Sequence, residues 1–426
     1  MNYKYIKNLF SSKLGIFFIF YLSILIGFYF NENALGGAEH DFLHHYQFSQ
    51  KFNIDFLEMF NRFGNADMAT RNSPIFWIVI ALLNKFLTIE TIRILNSLVS
   101  LLIAFCLYNC LKIKFKNQNE ITLILLSSTV FLSPTIRSLS IWPYNQIWGL
   151  LLFILSIYYF LKFKEITNKN IKFRFSLKFL FFLILSSYIH PSFAVFILYY
   201  IYHLYSAFRL SKYSFYIITF CLILSIPFFM YLFSTNVVHA FYSAEGIDIS
   251  VSHSLNLSNK IIIISTMFLF FILPAINIKK AIAEIKLIKF KILLIILFLG
   301  FINIYYFNFP YFESGGFGGG FFYKLSNKLF ENNLLLYFFF IISLITIFVI
   351  FGKKINNYIL FLALILSNPQ FTIYNKYFDP LIFILFLTLF KFDIKKHFFE
   401  KKFKFFQLYS FFIFFLMISL FKSYVL

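Results

Sequence analysis

The sequence predicts an all-α protein, a polytopic membrane bundle of about thirteen transmembrane helices. The 426-residue chain is 60% hydrophobic and only 13% charged, and its mean hydropathy is +0.79. Apolar runs recur to its last residues, and about 20 such residues in a helix cross a bilayer. Because lipid offers backbone groups no hydrogen-bond partners, the helix is the default spanning structure. We therefore expect residues 1–426 to form a single transmembrane domain.

The first predicted element is an apolar run near 14–30, which follows Lys4, Lys7 and Lys13 and is typical of an uncleaved signal anchor. The remaining predicted spans are apolar stretches of similar composition. They lie near 92–111, 121–136, 145–162, 177–190, 191–207, 214–233, 260–277, 290–308, 333–352, 356–368, 379–391 and 406–421.

The apolar run 74–88 is too ambiguous to place by hydropathy, but charge indicates how it lies. If it rests on the outer membrane surface or re-enters without crossing, the lysine-rich segments between the other spans all fall on one side, as the positive-inside rule requires. This topology puts the N-terminus in the cytoplasm and the C-terminus outside. Residues 31–91 then form an outer loop that contains interfacial helices. The expected location is a bacterial inner (plasma) membrane.

The formal net charge of +21 does not predict a nucleic-acid partner. Lysines that face anionic lipid headgroups account for this charge in a membrane protein. The three cysteines lie within apolar runs and are expected to be packing residues. The glycine-rich segment 316–320 lacks the spacing of a phosphate-binding loop. Membrane lipids are therefore the first expected partners.

The segment 36–77 gathers the polar chemistry of the chain, beginning with the pattern E-H-D-x-x-H-H at Glu39. In a helix, Asp41 and His45 share one face, and His40 and His44 share another. A carboxylate in this segment can act as general base, because it can take the proton from an acceptor hydroxyl as the hydroxyl oxygen attacks a substrate. The alternative is that these acids are simply solvated. No metal ligand is assigned and no cofactor is expected, although the two histidines leave a divalent cation open.

If that hydroxyl displaces a phosphate from the donor molecule, the charge on the leaving phosphate needs stabilisation, which arginine or lysine supplies. Arg71, just before the run 74–88, is the predicted donor-phosphate contact, and Lys324 is a weaker candidate. We predict further substrate contacts at His190, between two apolar spans, and at the residues His44, His45, Tyr377 and Asp379. For His190 the alternative is a helix-end histidine that faces water, and Arg137 is first expected to be an interfacial anchor.

These motifs resemble those of the GT-C superfamily of polyprenyl-phosphate-sugar-dependent glycosyltransferases, in a layout similar to protein mannosyltransferases and aminoarabinose transferases. The segment GGAEHDF matches the family's acidic residue in the first outer loop. Arg71-Asn72-Ser73-Pro74-Ile75-Phe76-Trp77 matches its basic-Pro-aromatic element, with Asn72 where the family often has lysine. The resemblance implies a similar number of spans, interfacial helices and a lipid-phosphate donor.

The expected function is a membrane glycosyltransferase that moves a sugar from a polyprenyl-phosphate donor on the extracytoplasmic face. The acceptor is a cell-surface glycan or a lipid-linked saccharide. Asp41 is the expected general base, and Glu39 is the alternate base or an orienting partner. Two other functions stay open at this point: an O-antigen-type polysaccharide polymerase, and a non-catalytic transporter or flippase of lipid-linked saccharides.

Overall fold

The computed structural model describes residues 13–35, 37–62, 74–234, 256–276, 278–286, 288–311, 318–368, 370–391 and 402–425. These residues form helices joined by short connections, and they contain no β-strand. A single pair, Gly318 and Ile373, makes an isolated parallel bridge within them. The predicted all-α class is confirmed.

The described residues form nineteen α-helices, α1 to α19 in chain order. The first eleven are α1 Lys13–Tyr29, α2 Ala38–Lys51, α3 Phe56–Arg62, α4 Ile75–Asn84, α5 Ile89–Lys114, α6 Glu120–Ser128, α7 Pro134–Ile141, α8 Asn145–Glu165, α9 Lys169–Ile189, α10 Ile197–Phe208 and α11 Lys212–Ser234. The others are α12 Leu257–Ile272, α13 Ile278–Lys286, α14 Phe290–Tyr305, α15 Gly320–Phe330, α16 Leu334–Phe351, α17 Ile355–Leu366, α18 Leu381–Thr388 and α19 Lys402–Val425.

Six helices in the described residues are long and apolar enough to cross a membrane. Four shorter helices are also apolar, and one bent helix pair adds a further candidate span. The protein is therefore a helical, multi-pass membrane protein. The six long segments are Ile89–Lys114, Asn145–Glu165, Lys212–Met230, Leu257–Ala275, Leu334–Phe351 and Phe405–Lys422.

Several predicted spans are interrupted. The stretch predicted at 121–136 divides into α6, a 3-10 turn at Thr129–Leu132 and α7, with a bend of 67° between the two arms. Pro134 has no N–H to continue the first helix, and the Ser133 hydroxyl accepts from the Ile136 N–H (3.1 Å) to begin the second. In the stretch predicted at 191–207, six residues form a 3-10 helix before α10 begins.

The ambiguous run 74–88 forms α4, a helix of ten residues. Ten residues rise about 15 Å, half the roughly 30 Å thickness of a hydrocarbon core. Helix α4 is therefore too short to cross a bilayer alone. It packs instead on α2, where Phe42 is fully buried and the Tyr46 hydroxyl donates to Asn84 Oδ1 (2.6 Å).

The described chain divides into two compact units. The first comprises Met1–Glu245 together with Tyr409–Leu426, and α8 packs there between α5 and α9. The second comprises Gly246–Leu408, in which α12 packs on α15 and α16. The predicted residues Glu39, Asp41, His44, His45 and His190 belong to the first unit, whereas Lys324, Tyr377 and Asp379 belong to the second.

Candidate active site

The two predicted acids lie at the start of α2, shortly after the first apolar helix ends. The Asn33 side chain accepts from the Ala38 N–H (3.1 Å) and so fixes where α2 begins. Glu39 and Asp41 occupy the first turn, where the positive end of the helix dipole favours carboxylates. Both side chains are half-buried. Local sequence chemistry thus holds two carboxylates beside the end of α1.

Glu39 and Asp41 are two positions apart, so they point to different sides of α2. Glu39 interacts electrostatically with Arg93, near the start of α5. Asp41 shares a helix face with His45, one turn later. The His45 ring stacks on Trp77 of α4, with ring centroids 4.9 Å apart. One carboxylate is therefore near a cation, and the other lies on the helix face that packs on aromatic rings.

The predicted pairing of His40 with His44 on one face is confirmed. Their rings are parallel to within 13°, with centroids 6.4 Å apart, and both side chains are exposed. His44 also contacts Phe48 edge-on at 4.8 Å. Within the described residues no group of three or more His, Cys, Asp or Glu side chains is placed to hold a metal ion. The exposed imidazoles are available to water or a ligand.

Arg93 is a cation beside Glu39 that was not predicted from the sequence as a site residue. Its Nε donates to the Ile141 carbonyl (3.1 Å) and its Nη2 donates to Asn31 Oδ1 (2.9 Å). The guanidinium stacks over the Trp142 ring at 3.8 Å. These contacts hold it rigidly near Glu39, with Nη1 making no hydrogen bond to a described residue. The signal in the sequence was an arginine at the start of the apolar run near 92–111.

Arg71, the predicted phosphate contact, lies outside the described residues. Within the described residues, Arg93 is the arginine that interacts with a predicted catalytic acid. A guanidinium beside a carboxylate can stabilise an anionic leaving group while the carboxylate accepts a proton. The start of α2 and the start of α5 thus bring a carboxylate and a guanidinium near each other.

Arg137 is a buried ion-pair partner, and its interpretation as an interfacial anchor is wrong. Its Nε donates to Glu32 Oε1 (2.6 Å), and its Nη2 donates to Glu32 Oε2. The exposed fractions are 7% for Arg137 and 6% for Glu32. The Trp142 indole N–H donates to the Glu32 carbonyl (3.2 Å). The two partners are 105 positions apart in sequence, so only the fold reveals the pair.

His190 ends α9 and is 5% exposed, so the alternative of a histidine facing water is wrong. The Asn145 amide donates to the Ile189 carbonyl (3.1 Å), which ties the start of α8 to this turn. The close approach requires glycine at position 149, since a Cβ there would lie 3.0 Å from His190 Cβ. His190, which follows α9, is therefore packed against α8.

In the second unit, the predicted residues lie on two segments that meet. The Gly319 N–H donates to the Ile373 carbonyl (2.9 Å), joining the start of α15 to the segment that carries Tyr377 and Asp379. Lys324 lies one turn into α15 and is half-buried. Asp379 is 2% exposed, so its carboxyl group is inside the unit.

Comparison with known protein families, with curated proteins and with solved structures finds no match to this chain.

Proposed function

We propose that this protein is a membrane glycosyltransferase that uses a polyprenyl-phosphate sugar as donor on the extracytoplasmic side of the membrane. The acceptor class is a hydroxyl group of a cell-surface glycan or a lipid-linked saccharide. The resemblance to GT-C enzymes supports the donor class. The position of two acids and an arginine beside the first apolar helix supports the site.

In the proposed reaction, the Asp41 carboxylate takes the proton of the acceptor hydroxyl as its oxygen attacks C1 of the sugar. The bond between C1 and the phosphate oxygen breaks, and its electron pair leaves with the polyprenyl phosphate. Arg93 stabilises the charge that develops on this phosphate. Glu39 orients Arg93 or serves as the alternate base.

One observation carries this proposal: Arg93 donates to Asn31 (2.9 Å) in the segment between α1 and α2. The first turn of α2, which follows that segment, holds both Glu39 and Asp41. This arrangement joins an acid for proton transfer to a cation for the leaving group at the end of α1. Lipid-linked substrates are confined to the bilayer, so a site at the end of an apolar helix suits a donor that diffuses laterally.

The test uses purified protein in nanodiscs with radiolabelled polyprenyl-phosphate glucose, galactose, mannose and N-acetylglucosamine, and a cell-envelope glycolipid extract as acceptor. Asp41→Asn is expected to lower the transfer rate about 10²-fold or more, because the base is lost. Arg93→Met is expected to lower the transfer rate about 10²-fold, because the charge on the leaving phosphate is no longer stabilised.

The matched controls come from α3, where exposed Glu58 and Arg62 form a salt bridge of 3.1 Å. Glu58→Gln and Arg62→Met remove the same charges from exposed positions away from the acids of α2, so we expect transfer at the wild-type rate. Full transfer by both Asp41→Asn and Glu39→Gln would overturn the assignment of the base.

A transporter of lipid-linked saccharides is the second candidate, and the buried charges favour it. Glu32 and Arg137 in the first unit and Lys260 in the second are all less than a tenth exposed. Ionisable groups inside a helix bundle often mark a substrate path. Translocation of a fluorescent polyprenyl-phosphate sugar in proteoliposomes separates the two functions. The transferase proposal expects Asp41→Asn to abolish transfer and to leave translocation as in the wild type.

A further inference from the structure

A cavity of about 340 Å³ lies in the first unit at the end of α1. This volume falls in the range of about 300 to 1,000 Å³ that is typical of small-molecule sites. Its walls come from α1, from Phe30 and Glu32 beyond it, from α7 and from α19. The lining residues are Ile26, Gly27, Phe30, Glu32, Arg137 and Leu420.

The cavity is amphipathic. Its ionic part is the Glu32–Arg137 pair, whose two residues are 6% and 7% exposed. Its apolar part includes Ile26 and Phe30, which are 60% and 69% exposed and open on the apolar surface of α1. Because the two charges already pair with each other, a ligand that fits both parts has a polar head that can hydrogen-bond to the pair and a hydrocarbon chain that covers the apolar rim.

The hydrogen-bonding capacity of the ion pair decides the chemistry of the head group. Arg137 already donates from Nη1 to the Ser23 hydroxyl (2.9 Å) and the Phe131 carbonyl (3.5 Å), and from Nη2 to the Ser23 carbonyl (2.9 Å). With the two bonds to Glu32, all five guanidinium N–H groups are used. Each Glu32 carboxylate oxygen accepts one bond and keeps capacity for another.

The pair therefore offers acceptors rather than donors. A phosphate would have to displace Glu32 from Arg137, whereas a hydroxyl group can donate to Glu32 without breaking any bond. Gly27 keeps this face open, since a Cβ at that position would collide with Glu32 Oε2 and lie 3.1 Å from Arg137 Nη2.

We propose that this cavity binds a neutral glycolipid, with sugar hydroxyls donating to Glu32 and the hydrocarbon chain lying along Ile26 and Phe30. This is a binding site in its own right, and it does not depend on sugar transfer at Asp41. The ligand class is set by the unused acceptors of Glu32 and by the apolar rim.

The test measures lipids retained by the full-length protein when native mass spectrometry releases it from phosphatidylcholine nanodiscs. The nanodiscs contain equal amounts of glucosyl-diacylglycerol and phosphatidic acid with the same acyl chains. Wild type is expected to retain the glucolipid in preference to phosphatidic acid. Ile26→Trp fills the rim without touching the ion pair, and we expect it to lower the retained glucolipid at least about tenfold, a loss of about 1.4 kcal/mol.

Leu22→Trp is the matched control, because Leu22 is also exposed on α1, one turn earlier, and does not line the cavity. It should retain the glucolipid as wild type does. Leu420→Trp fills the cavity from the α19 wall and should reproduce the loss if Ile26→Trp does not fold.

Equal or preferred retention of phosphatidic acid would overturn the proposal, and so would wild-type retention by both filling variants or a matching loss in Leu22→Trp. The nanodiscs hold no polyprenyl-phosphate donor and the assay measures no sugar transfer, which keeps this result separate from the test of transfer.

Discussion

Arg137 donates to a carboxylate, a hydroxyl group and two main-chain carbonyls inside the first unit. Removing one member of a buried ion pair leaves the other charge without its partner, at a cost of about 3–5 kcal/mol. Replacing both members removes the uncompensated charge. The pair therefore fixes the end of α1 against α7, and its stability effect is strongly non-additive.

We expect Arg137→Gln to lower the free energy of unfolding by about 3–5 kcal/mol, and Glu32→Gln/Arg137→Gln to lower it by less. The measurement is reversible unfolding in mixed micelles with increasing sodium dodecyl sulfate. Arg62→Gln is the control, since its exposed salt bridge with Glu58 is worth about 0.5 kcal/mol at most. Equal losses from Arg137→Gln and Arg62→Gln would contradict the role of the buried pair.

At the residue scale, the sequence predicts contacts between side chains that share one face of a helix. The shared face of His40 and His44 follows from positions four apart, and the structure confirms it. Helical spacing does not predict the ion pair of Glu32 and Arg137, because their pairing depends on how α7 packs on the end of α1. It also missed Arg93, whose contacts come from Asn31 and Ile141 in distant parts of the chain.

At the scale of elements, the junction of α8 and α9 depends on Gly149. The Ser186 hydroxyl donates to the Gly149 carbonyl (2.7 Å), and the helices approach so closely that a Cβ at position 149 would lie 2.9 Å from Phe193 Cε2. That ring belongs to the 3-10 turn after His190. An added methyl group must therefore displace the turn.

Gly149→Ala is expected to lower the free energy of unfolding by about 1–3 kcal/mol, because the site is already packed. Gly37→Ala is the comparison: nothing lies within 4 Å of the added Cβ, so we expect a loss of less than about 1 kcal/mol, from replacing glycine at the N-cap of α2. The same micelle unfolding assay measures both. A Gly149→Ala protein as stable as Gly37→Ala would show that the turn adapts without cost.

The positions of helices are predicted correctly where a long apolar run determines them. They are predicted incorrectly where local polar groups break the run into shorter helices. The long apolar run at 92–111 lies within α5, as expected. The predicted span at 121–136 bends because Ser133 begins a new helix at Pro134. At 379–391 only the eight residues Leu381–Thr388 are α-helical, although nearly all residues between Asp379 and Lys391 are apolar. Hydropathy identifies these segments but not the breaks within them.

For the whole molecule, composition sufficed to predict a helical membrane protein, since lipid is the solvent that accommodates so much apolar surface. The predicted orientation of the protein in the membrane rests on the distribution of lysines among the loops. The connection between α8 and α9 is expected inside, and the loop that carries α2 and α3 is expected outside. About thirteen crossings stay a prediction, because within the described residues length and composition alone qualify six helices.

This topology predicts the labelling of single cysteines in a variant whose three natural cysteines are replaced by serine. Ile54→Cys, at an exposed position after α2, should react with a membrane-impermeant maleimide in intact cells. Thr167→Cys, exposed between α8 and α9, should react only after permeabilisation. The reverse pattern would place the acids of α2 in the cytoplasm and contradict the proposed site.

The central claim is that Asp41 acts in sugar transfer from a lipid-phosphate donor. The most direct measurement is mass spectrometry of surface glycans and lipid-linked sugars from a deletion strain that expresses either wild type or Asp41→Asn. We expect wild type to restore one missing sugar residue, and Asp41→Asn to leave it missing while the polyprenyl-phosphate sugar accumulates. Full restoration by Asp41→Asn, or a change only in glycan chain length, would contradict the account.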